Sequence, residues 1–276
     1  MLPDAPPNAR PARRVRMFRR LLITAGVFAL CYYFLAYWIA PMMWRHYEHH
    51  PKMEDAPKFT LTREGIPGDA LNIALIGEQA DVIHSMIAAG WQPADPVTFK
   101  SSMKITESAL FGKPYPTAPV SNLYLFGRIE DLAFEQPVMG NTRQRHHVRF
   151  WRSAELGKDG KPLWLGAGTF DRSVGVSHLT GKITHHVAPD IDAERDKIIA
   201  DLAGHQQLTA EYQVTGIGLT FRARNGGGDS YFTDGEMTVG VLTEGGAQNP
   251  VIVQVKENPV AVRWKDKSWR FWRSLW

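Results

Sequence analysis

The most constraining feature of the chain is a run of 24 residues, 21–44, that contains no charged side chain. As an α-helix rising ~1.5 Å per residue, the run is roughly 36 Å long, which exceeds a bilayer core of about 30 Å. Its apolar residues cover every face of the helix instead of one stripe, as lipid-facing helices require. The run therefore predicts one transmembrane helix at the N-terminal end of the chain.

The charges beside this run predict its orientation. Six arginines lie within residues 1–20, whereas Arg45 is the only arginine that follows the run closely. Positively charged flanks stay on the cytoplasmic side, so we expect residues 1–20 inside the cell and residues 45–276 outside. A cleaved signal peptide is the alternative, but small residues precede its cleavage site and Trp38 occupies the −3 position of a cut after Ala40. An uncleaved anchor is the favoured interpretation.

The composition excludes several classes of function for residues 45–276, the part expected outside the membrane. The formal net charge is +4, but residues 1–20 alone carry +5, so residues 21–276 sum to −1. The basic flank suits anionic lipid headgroups, and it does not indicate a nucleic-acid-binding domain. The single cysteine, Cys31, lies in the apolar run, which excludes disulfides, Cys-zinc sites and Cys nucleophiles from the outer part.

The pattern of apolar residues and turn residues divides residues 45–276 into three segments. Residues 45–68 are interpreted as a linker, residues 69–245 as a folded domain, and residues 246–276 as a basic, Trp-rich tail. The patterns predict about three helices, at 78–88, 101–111 and 189–202, and strands at 71–76, 121–129, 145–152, 162–170, 174–188, 211–224 and 231–242. Hairpins dominate this order, which predicts an α+β fold with a largely antiparallel sheet.

The clearest candidate ligand-binding group is Arg145-His-His-Val-Arg149. Side chains alternate along a strand, so Arg145, His147 and Arg149 project from one face while Val148 marks the other. Two guanidiniums and an imidazole together suit an anion such as phosphate or carboxylate. Asp171 and Arg172 follow a predicted strand and are candidate members of the same group. The alternatives are a solvated strand face, or arginines paired with acids of another strand.

A second group of residues is a candidate for a divalent metal. His186, Asp190 and Asp192, together with His147, offer the imidazole and carboxylate ligands of zinc, manganese or iron sites. Their spacing matches no metal motif, and acids at the start of a helix are also favourable because of its dipole. No G-x-S-x-G motif occurs, which disfavours a serine hydrolase. No residue is assigned a catalytic role.

The tail, 263–276, places four tryptophans among five basic residues and one acidic residue. A basic, Trp-rich helix can lie in a membrane interface, or it can cap the sheet of its own domain. The tail could also contact another membrane protein.

Several ordered motifs resemble the LssY C-terminal domain family over roughly residues 69–205. The motifs are APVSNLYLFGR (118–128), RHHVRFW (145–151), GTFDR (168–172) and THHVAPDIDAERD (184–196). The resemblance implies a bacterial domain, and longer members resemble fusions to membrane modules of the DedA and phosphatidic-acid-phosphatase types. It therefore implies an inner-membrane location, a periplasmic domain and envelope lipid or phosphate chemistry, by analogy alone. From residues 1–276 we expect one anchor and no such fused module.

Three hypotheses for the function follow. The domain binds an anionic envelope ligand, such as a lipid headgroup or phosphate, through Arg145, His147 and Arg149. Alternatively, it is a metal-dependent hydrolase of envelope phosphoesters, or a structural partner in a membrane complex.

Overall fold

The structure of the protein is a computed structural model that describes ten stretches of the chain. These are residues 10–43, 53, 56–94, 122–138, 144–157, 160–176, 181, 183–217, 221–251 and 253–273. The chain divides into two compact units, residues 1–49 and residues 50–276.

The N-terminal unit is a single long helix. It comprises α1 (Arg10–Phe34), a π-helical turn over Leu35–Ile39, and a last α-helical turn. Pro41 accounts for the wide turn, because proline has no N–H and its ring collides with the carbonyl four residues earlier. Among the described residues, Arg14–Met43 is the one helix long and apolar enough to cross a membrane. This helix agrees with the predicted anchor.

In its described residues, the C-terminal unit combines strands with three α-helices. Its strands are β1 (Phe59–Leu61), β2 (Pro67–Ala70), β3 (Ile73–Ile76), β4 (Gln92–Pro93), β5 (Tyr124–Leu125), β6 (Arg128–Ile129), β7 (Leu132–Pro137), β8 (Arg145–Leu156), β9 (Pro162–Val176), β10 (Ile183–Val187), β11 (Leu208–Thr215), β12 (Phe221–Arg224), β13 (Ser230–Thr233), β14 (Glu236–Leu242) and β15 (Gln254–Lys256). Its helices are α2 (Gln79–Ala88), α3 (Ile191–Gly204) and α4 (Val260–Arg273).

Most of these strands form one central sheet. Their order is β15-β11-β14-β3-β9-β8-β7-β4, and β10 pairs with the far end of β9. Within the described part of this sheet, β3 with β14 and β11 with β15 are parallel, and the other pairs are antiparallel. A second sheet has the order β2-β1-β5-β6, and β12 and β13 form a hairpin. The predicted α+β fold with a largely antiparallel sheet is confirmed.

Both faces of the central sheet are covered by apolar side chains. α2 and α3 pack on one face, where Val82 and Ile198 meet Phe150 and Trp164 of the sheet. The apolar face predicted for α3 is buried, as its four residues Ile191, Ile198, Ile199 and Leu202 show. The opposite face carries a second core, in which β5 of the second sheet contributes Leu125. A side chain from the middle of this sheet is therefore buried whichever face it lies on.

Asn72 joins the elements that meet on β9. Its side-chain amide donates to the Gly168 carbonyl and accepts from the Gly168 N–H, both at 2.9 Å. The same amide donates to the Ile191 carbonyl at 2.9 Å. A side chain at position 168 has no room, since a Cβ there would lie 2.6 Å from Ile198 Cδ1. These bonds hold β3, β9 and the start of α3 together beside the candidate site.

The structure refines the predicted boundaries at the start of the domain. β1 and the start of β2 lie within residues 45–68, which the sequence analysis interprets as a linker. These strands are too short for an alternating pattern to be recognised. The helix predicted at 101–111 lies outside the described residues.

Two strands predicted near the C-terminus are each divided in the structure. The segment 211–224 contains the end of β11 and all of β12, and the segment 231–242 contains most of β13 and all of β14. Gly216 and Gly235 have φ values of +83° and +82°, a conformation that ends a strand and that glycine adopts readily. The two glycines therefore turn the chain away from the central sheet into the β12–β13 hairpin and back.

The Trp-rich tail contains a helix that docks on the domain. Val262 of α4 is buried, the Lys265 Nζ donates to the Asp234 carbonyl at 2.7 Å, and the Trp269 Nε1–H donates to the Thr233 carbonyl at 3.0 Å. Of the alternatives for the tail, capping of its own domain is thus observed for one face of α4.

Candidate functional site

The candidate site is built on β8, whose side chains alternate between the two faces of the central sheet. Val148 and Phe150 point into the core under α2 and α3. Arg145, His147 and Arg149 are buried on the opposite face. The strand pattern predicted this arrangement, and the structure places the three polar side chains together.

Neighbouring strands bring acids and a hydroxyl to the same place. Glu135 of β7 and Thr169 of β9 flank His147, and Asp171 pairs with Arg145. The Arg145 Nη1–H donates to Glu135 Oε2 at 2.7 Å, and its Nε–H donates to Asp171 Oδ2 at 3.0 Å. The exposed fractions of Glu135 and Asp171 are 0% and 1%. Arg145 is therefore held between two buried carboxylates.

The contacts of His147 define its tautomer. His147 Nε2 lies 3.1 Å from Arg149 Nη1 and 2.7 Å from Thr169 Oγ1. A guanidinium only donates, so the contact with Arg149 requires the lone pair on Nε2 and the proton on Nδ1. Nδ1 then faces Asp171 Oδ2, 3.3 Å away. A carboxylate, an imidazole and a hydroxyl thus follow one another, with Arg149 beside the imidazole.

Besides His147, two acids contact Arg149: Asp69 of β2, and Glu130, which precedes β7. The Arg149 Nη1–H donates to Asp69 Oδ2 at 3.0 Å, and its Nε lies 4.0 Å from Glu130 Oε1. Burial and the Asp69 carboxylate raise the pKa of Tyr231 to about 12. Tyr231 is therefore a neutral hydroxyl close to these charges.

His185 of β10 completes the group. Burial lowers the pKa of His185 to about 4. The cations of Arg145 and Arg149 act in the same direction, whereas the Asp171 carboxylate opposes the shift. Burial would raise the pKa of Asp171, but the polar contact with the His147 imidazole and the nearby Arg145 guanidinium hold that pKa well below its usual range. At neutral pH the group therefore contains a neutral His185 and an ionised Asp171.

We call this group the charge cluster. Its members are Asp69, Glu135, Arg145, His147, Arg149, Thr169, Asp171 and His185. His147 Nδ1, Arg149 Nε and Asp171 Oδ1 are buried atoms of the cluster that have no hydrogen-bond partner among the described residues. Buried polar atoms are normally paired, so these donors and this acceptor remain for a bound water or ligand.

Comparison with known proteins identifies the domain that carries this cluster. A family model described as LssY C-terminus matches residues 53–237, more than half of the chain. The chain belongs to this family. It has no match among curated proteins or solved structures. The matched region of the LssY C-terminal domain includes every member of the charge cluster.

Arg172, a predicted ligand contact, does not join the cluster of the LssY C-terminal domain. Its side chain is exposed, and its carbonyl accepts a hydrogen bond from Gln144. The pairing of β10 with β9 skips Arg172, because His186 lies opposite Ser173 and Val187 opposite Asp171. Arg172 is the extra residue of a β-bulge, which turns its side chain away from that of Asp171.

His186, a predicted metal ligand, lies apart from His147. Its Nδ1 is 2.8 Å from Asp229 Oδ1, and the other oxygen of Asp229 accepts from the Val187 N–H. A Cβ on Gly175 would lie 2.5 Å from His186 Nε2, so the imidazole packs over β9. His185, its neighbour in sequence, is the histidine that joins the charge cluster.

The two predicted acidic ligands have structural partners at the start of α3. Asp190 is the N-cap and accepts from the Ala193 N–H at 3.2 Å. Asp192 accepts from Thr233 Oγ1 at 2.7 Å and from the Asp234 N–H at 2.8 Å. The LssY C-terminal domain therefore does not bring the four predicted ligands together, and no group of three His, Cys, Asp or Glu in its described part could hold a metal ion.

The other histidine of the β8 motif, His146, forms a separate pair on the helix-covered face. His146 Nδ1 lies 2.7 Å from Glu194 Oε2, and its ring centroid is 4.6 Å from that of Phe170. Burial raises the pKa of Glu194 although the hydrogen bond to His146 opposes the shift. Each histidine pair thus contributes one member to the charge cluster and one to another contact.

Four members of the charge cluster were missed by sequence reasoning: Asp69, Glu135, Thr169 and His185. His185 carries a signal, since it belongs to a histidine pair. Thr169 lies two residues before Asp171, where strand alternation could have indicated it. Asp69 and Glu135 carry no local signal, because only the pairing of distant strands brings them to β8.

Proposed function

We propose that this chain is a single-pass membrane protein of the bacterial inner membrane, with residues 1–20 in the cytoplasm and the LssY C-terminal domain in the periplasm. The six arginines that precede the apolar run outnumber Arg45 and Lys52, the basic residues that follow it closely, and this asymmetry supports the orientation. Intact spheroplasts treated with protease provide the test. Cleavage of the domain supports the proposal, and protection of the domain until the membrane is permeabilised would contradict it.

Within this arrangement, we propose that the charge cluster binds an anionic, phosphate-bearing ligand of the cell envelope. The main support is the convergence of Arg145 and Arg149 with two histidines inside one LssY C-terminal domain. The free donor at Arg149 Nε and the free acceptor at Asp171 Oδ1 suit a phosphate group that still carries a proton. A buried guanidinium held by carboxylates is also fixed in position before the ligand arrives.

The charge balance of the cluster predicts how such a ligand binds. Asp69, Glu130, Glu135 and Asp171 contact the two arginines, so the carboxylates outweigh the guanidiniums by two while His185 is neutral. An added anion would raise the pKa of a neighbouring histidine. Ligand binding should therefore take up a proton and become stronger as the pH falls from neutral towards the pKa of that histidine.

The test uses the full chain in nanodiscs, inorganic phosphate as probe, and the thermal unfolding midpoint as readout. We expect phosphate to raise the midpoint more than chloride does at equal ionic strength, and more so under mildly acidic conditions. Arg149→Gln should abolish the phosphate effect. Arg152→Gln, on the exposed end of the same strand, is the matched control and should keep it.

Loss of folding could mimic loss of binding, because Arg149→Gln leaves the buried Asp69 without its partner. The paired variant Arg149→Gln with Asp69→Asn removes both charges and avoids this penalty. A folded double variant without the phosphate effect supports the proposal. If the unmodified chain shows no phosphate-specific shift, or if the folded double variant retains it, the charge cluster is a structural ion-pair network.

A further inference from the structure

The helix α4 has a second face that the LssY C-terminal domain leaves exposed. Val262, Asp266 and Trp269 lie on the docked side, together with Lys265. At 100° per residue, these positions fall within about 100° of one another on the helical wheel. The remainder of the surface of α4 faces away from this docked side.

The exposed face of α4 is aromatic. Val260, Trp264 and Phe271 lie opposite the docked side, with exposed fractions of 61%, 71% and 61%. Trp272 is 57% exposed, and its ring packs edge-on against Phe271 with centroids 5.8 Å apart. Exposed aromatic rings aligned on one side of a helix are unusual for a surface that faces only water.

Basic side chains border this aromatic face. Arg263, Lys267 and Arg270 are exposed and fall on one side of it on the helical wheel. Arg263 forms an ion pair with Glu257 at 2.8 Å. Residues 21–276 carry a net charge of −1, so α4 is a local concentration of positive charge on a domain that is otherwise acidic.

We infer that α4 lies on the surface of an anionic bilayer, with Trp264 and Phe271 in the headgroup region and Lys267 and Arg270 near lipid phosphates. Aromatic and basic side chains are the two types that favour this interface. One face of α4 is fixed to the domain, so the helix would orient the whole LssY C-terminal domain towards the membrane.

The anchor of the same chain supports a bilayer as the occupant. Residues 44–58 connect the end of the membrane helix to β1, and an extended chain of this length reaches at most roughly 50 Å. The domain therefore stays close to a bilayer, and a tethered surface needs only weak affinity to bind. This inference does not depend on the charge cluster, and it holds for either orientation of the anchor.

The depth of a spin label measures the contact directly. The full chain, with Cys31→Ser and Trp264→Cys, is labelled at position 264 and placed in nanodiscs of phosphatidylcholine with or without phosphatidylglycerol. Relaxation by oxygen reports membrane depth, and relaxation by a water-soluble nickel chelate reports water exposure. Ala88→Cys, on the exposed side of α2, provides the control position.

With phosphatidylglycerol present, we expect the label at 264 to become several-fold less accessible to nickel and more accessible to oxygen, while the label at 88 stays in water. Lys267→Glu with Arg270→Glu should reverse this change; both side chains are exposed, and circular dichroism checks that the variant stays folded, since Arg270 acts on the buried Asp266. A label at 264 that remains equally accessible to nickel in both lipid compositions would overturn the inference and leave a protein partner as the occupant of this face.

Discussion

The pKa of His185 provides the sharpest test of the charge cluster. Replacing His185 by asparagine should reduce the loss of stability that acid causes in the chain. The pKa of His185 is lowered to about 4 in the folded protein, whereas the usual value of 6.5 applies to the unfolded chain. Between these pH values the unfolded chain binds the proton and the folded chain does not.

The sign and the size of the effect follow from this difference. Above about pH 6.5 the histidine is neutral in both states and contributes nothing to the pH dependence. As the pH falls from about 6.5 to about 4, the free energy of unfolding decreases by about 3 kcal/mol through this one group. Burial of the imidazole next to two guanidiniums is the physical cause.

Other groups titrate in the same range, so the comparison must be a difference between two chains. Burial raises the pKa values of Glu194 and Glu236, which makes these acids oppose the loss of stability as the pH falls. Their contribution is shared by the unmodified chain and by His185→Asn, and it cancels in the difference. His84→Asn, at an exposed position of α2, is the matched control for removing a histidine.

The measurement is urea unfolding of the full chain in nanodiscs at neutral pH and near pH 4, followed by circular dichroism. The unmodified chain and His84→Asn should lose about 3 kcal/mol more than His185→Asn between the two conditions. An equal loss in all three chains would refute the reasoning, because His185 would then titrate normally and could not be buried against Arg145 and Arg149.

Three further substitutions test the fold around the cluster by urea unfolding. Asn72→Ala leaves three buried backbone groups without a partner and should cost about 3 kcal/mol or more; a loss below about 1 kcal/mol would mean that water replaces the amide. Gly168→Ala should cost about 1–3 kcal/mol by pressing on Ile198, and an unchanged stability would contradict the close packing. Arg195→Lys should be strongly destabilising, because lysine cannot reproduce the two parallel bonds to Asp234 at 2.8 and 3.1 Å; full stability would show that charge alone suffices.

The elements that sequence patterns predicted well are those with strong local signals. The membrane helix follows from 24 uncharged residues, and α3 follows from its apolar period and the Asp190 cap, which the structure confirms. α2 ends before Gly90, whose φ of +84° fits the glycine predicted there. In each case the determining interaction lies within a few residues of the signal.

The short strands lacked such signals. β4 has two residues, β15 has three, and β6 has two, so neither periodicity nor composition can distinguish them from loops. β15 also pairs in parallel with β11, and a parallel partner is brought in by a long connection instead of a tight turn. These strands depend on tertiary pairing, which the sequence does not display locally.

The candidate site shows the same division between local and distant information. Alternation along β8 correctly grouped Arg145, His147 and Arg149, because their spacing alone determines the face on which they lie. The partners of the two arginines are Glu135 of β7, Asp171 of β9 and Asp69 of β2. Because these acids lie outside the β8 motif, the motif alone could not distinguish an open anion site from arginines paired with acids. The structure shows that both arginines are paired with carboxylates.

The selection of His185 over His186 depends on a feature that a period of two cannot reveal. Val174 lies opposite His185 and is three residues after Asp171, so in a regular strand the two would face opposite sides of the sheet. The bulge at Arg172 inserts one residue between them and brings His185 to the face of Asp171. The bulge therefore changes which histidine joins the cluster. A deletion of Arg172 should leave Asp171 and Val174 two residues apart on one face of a regular strand, so His185 should keep its low pKa if the chain still folds.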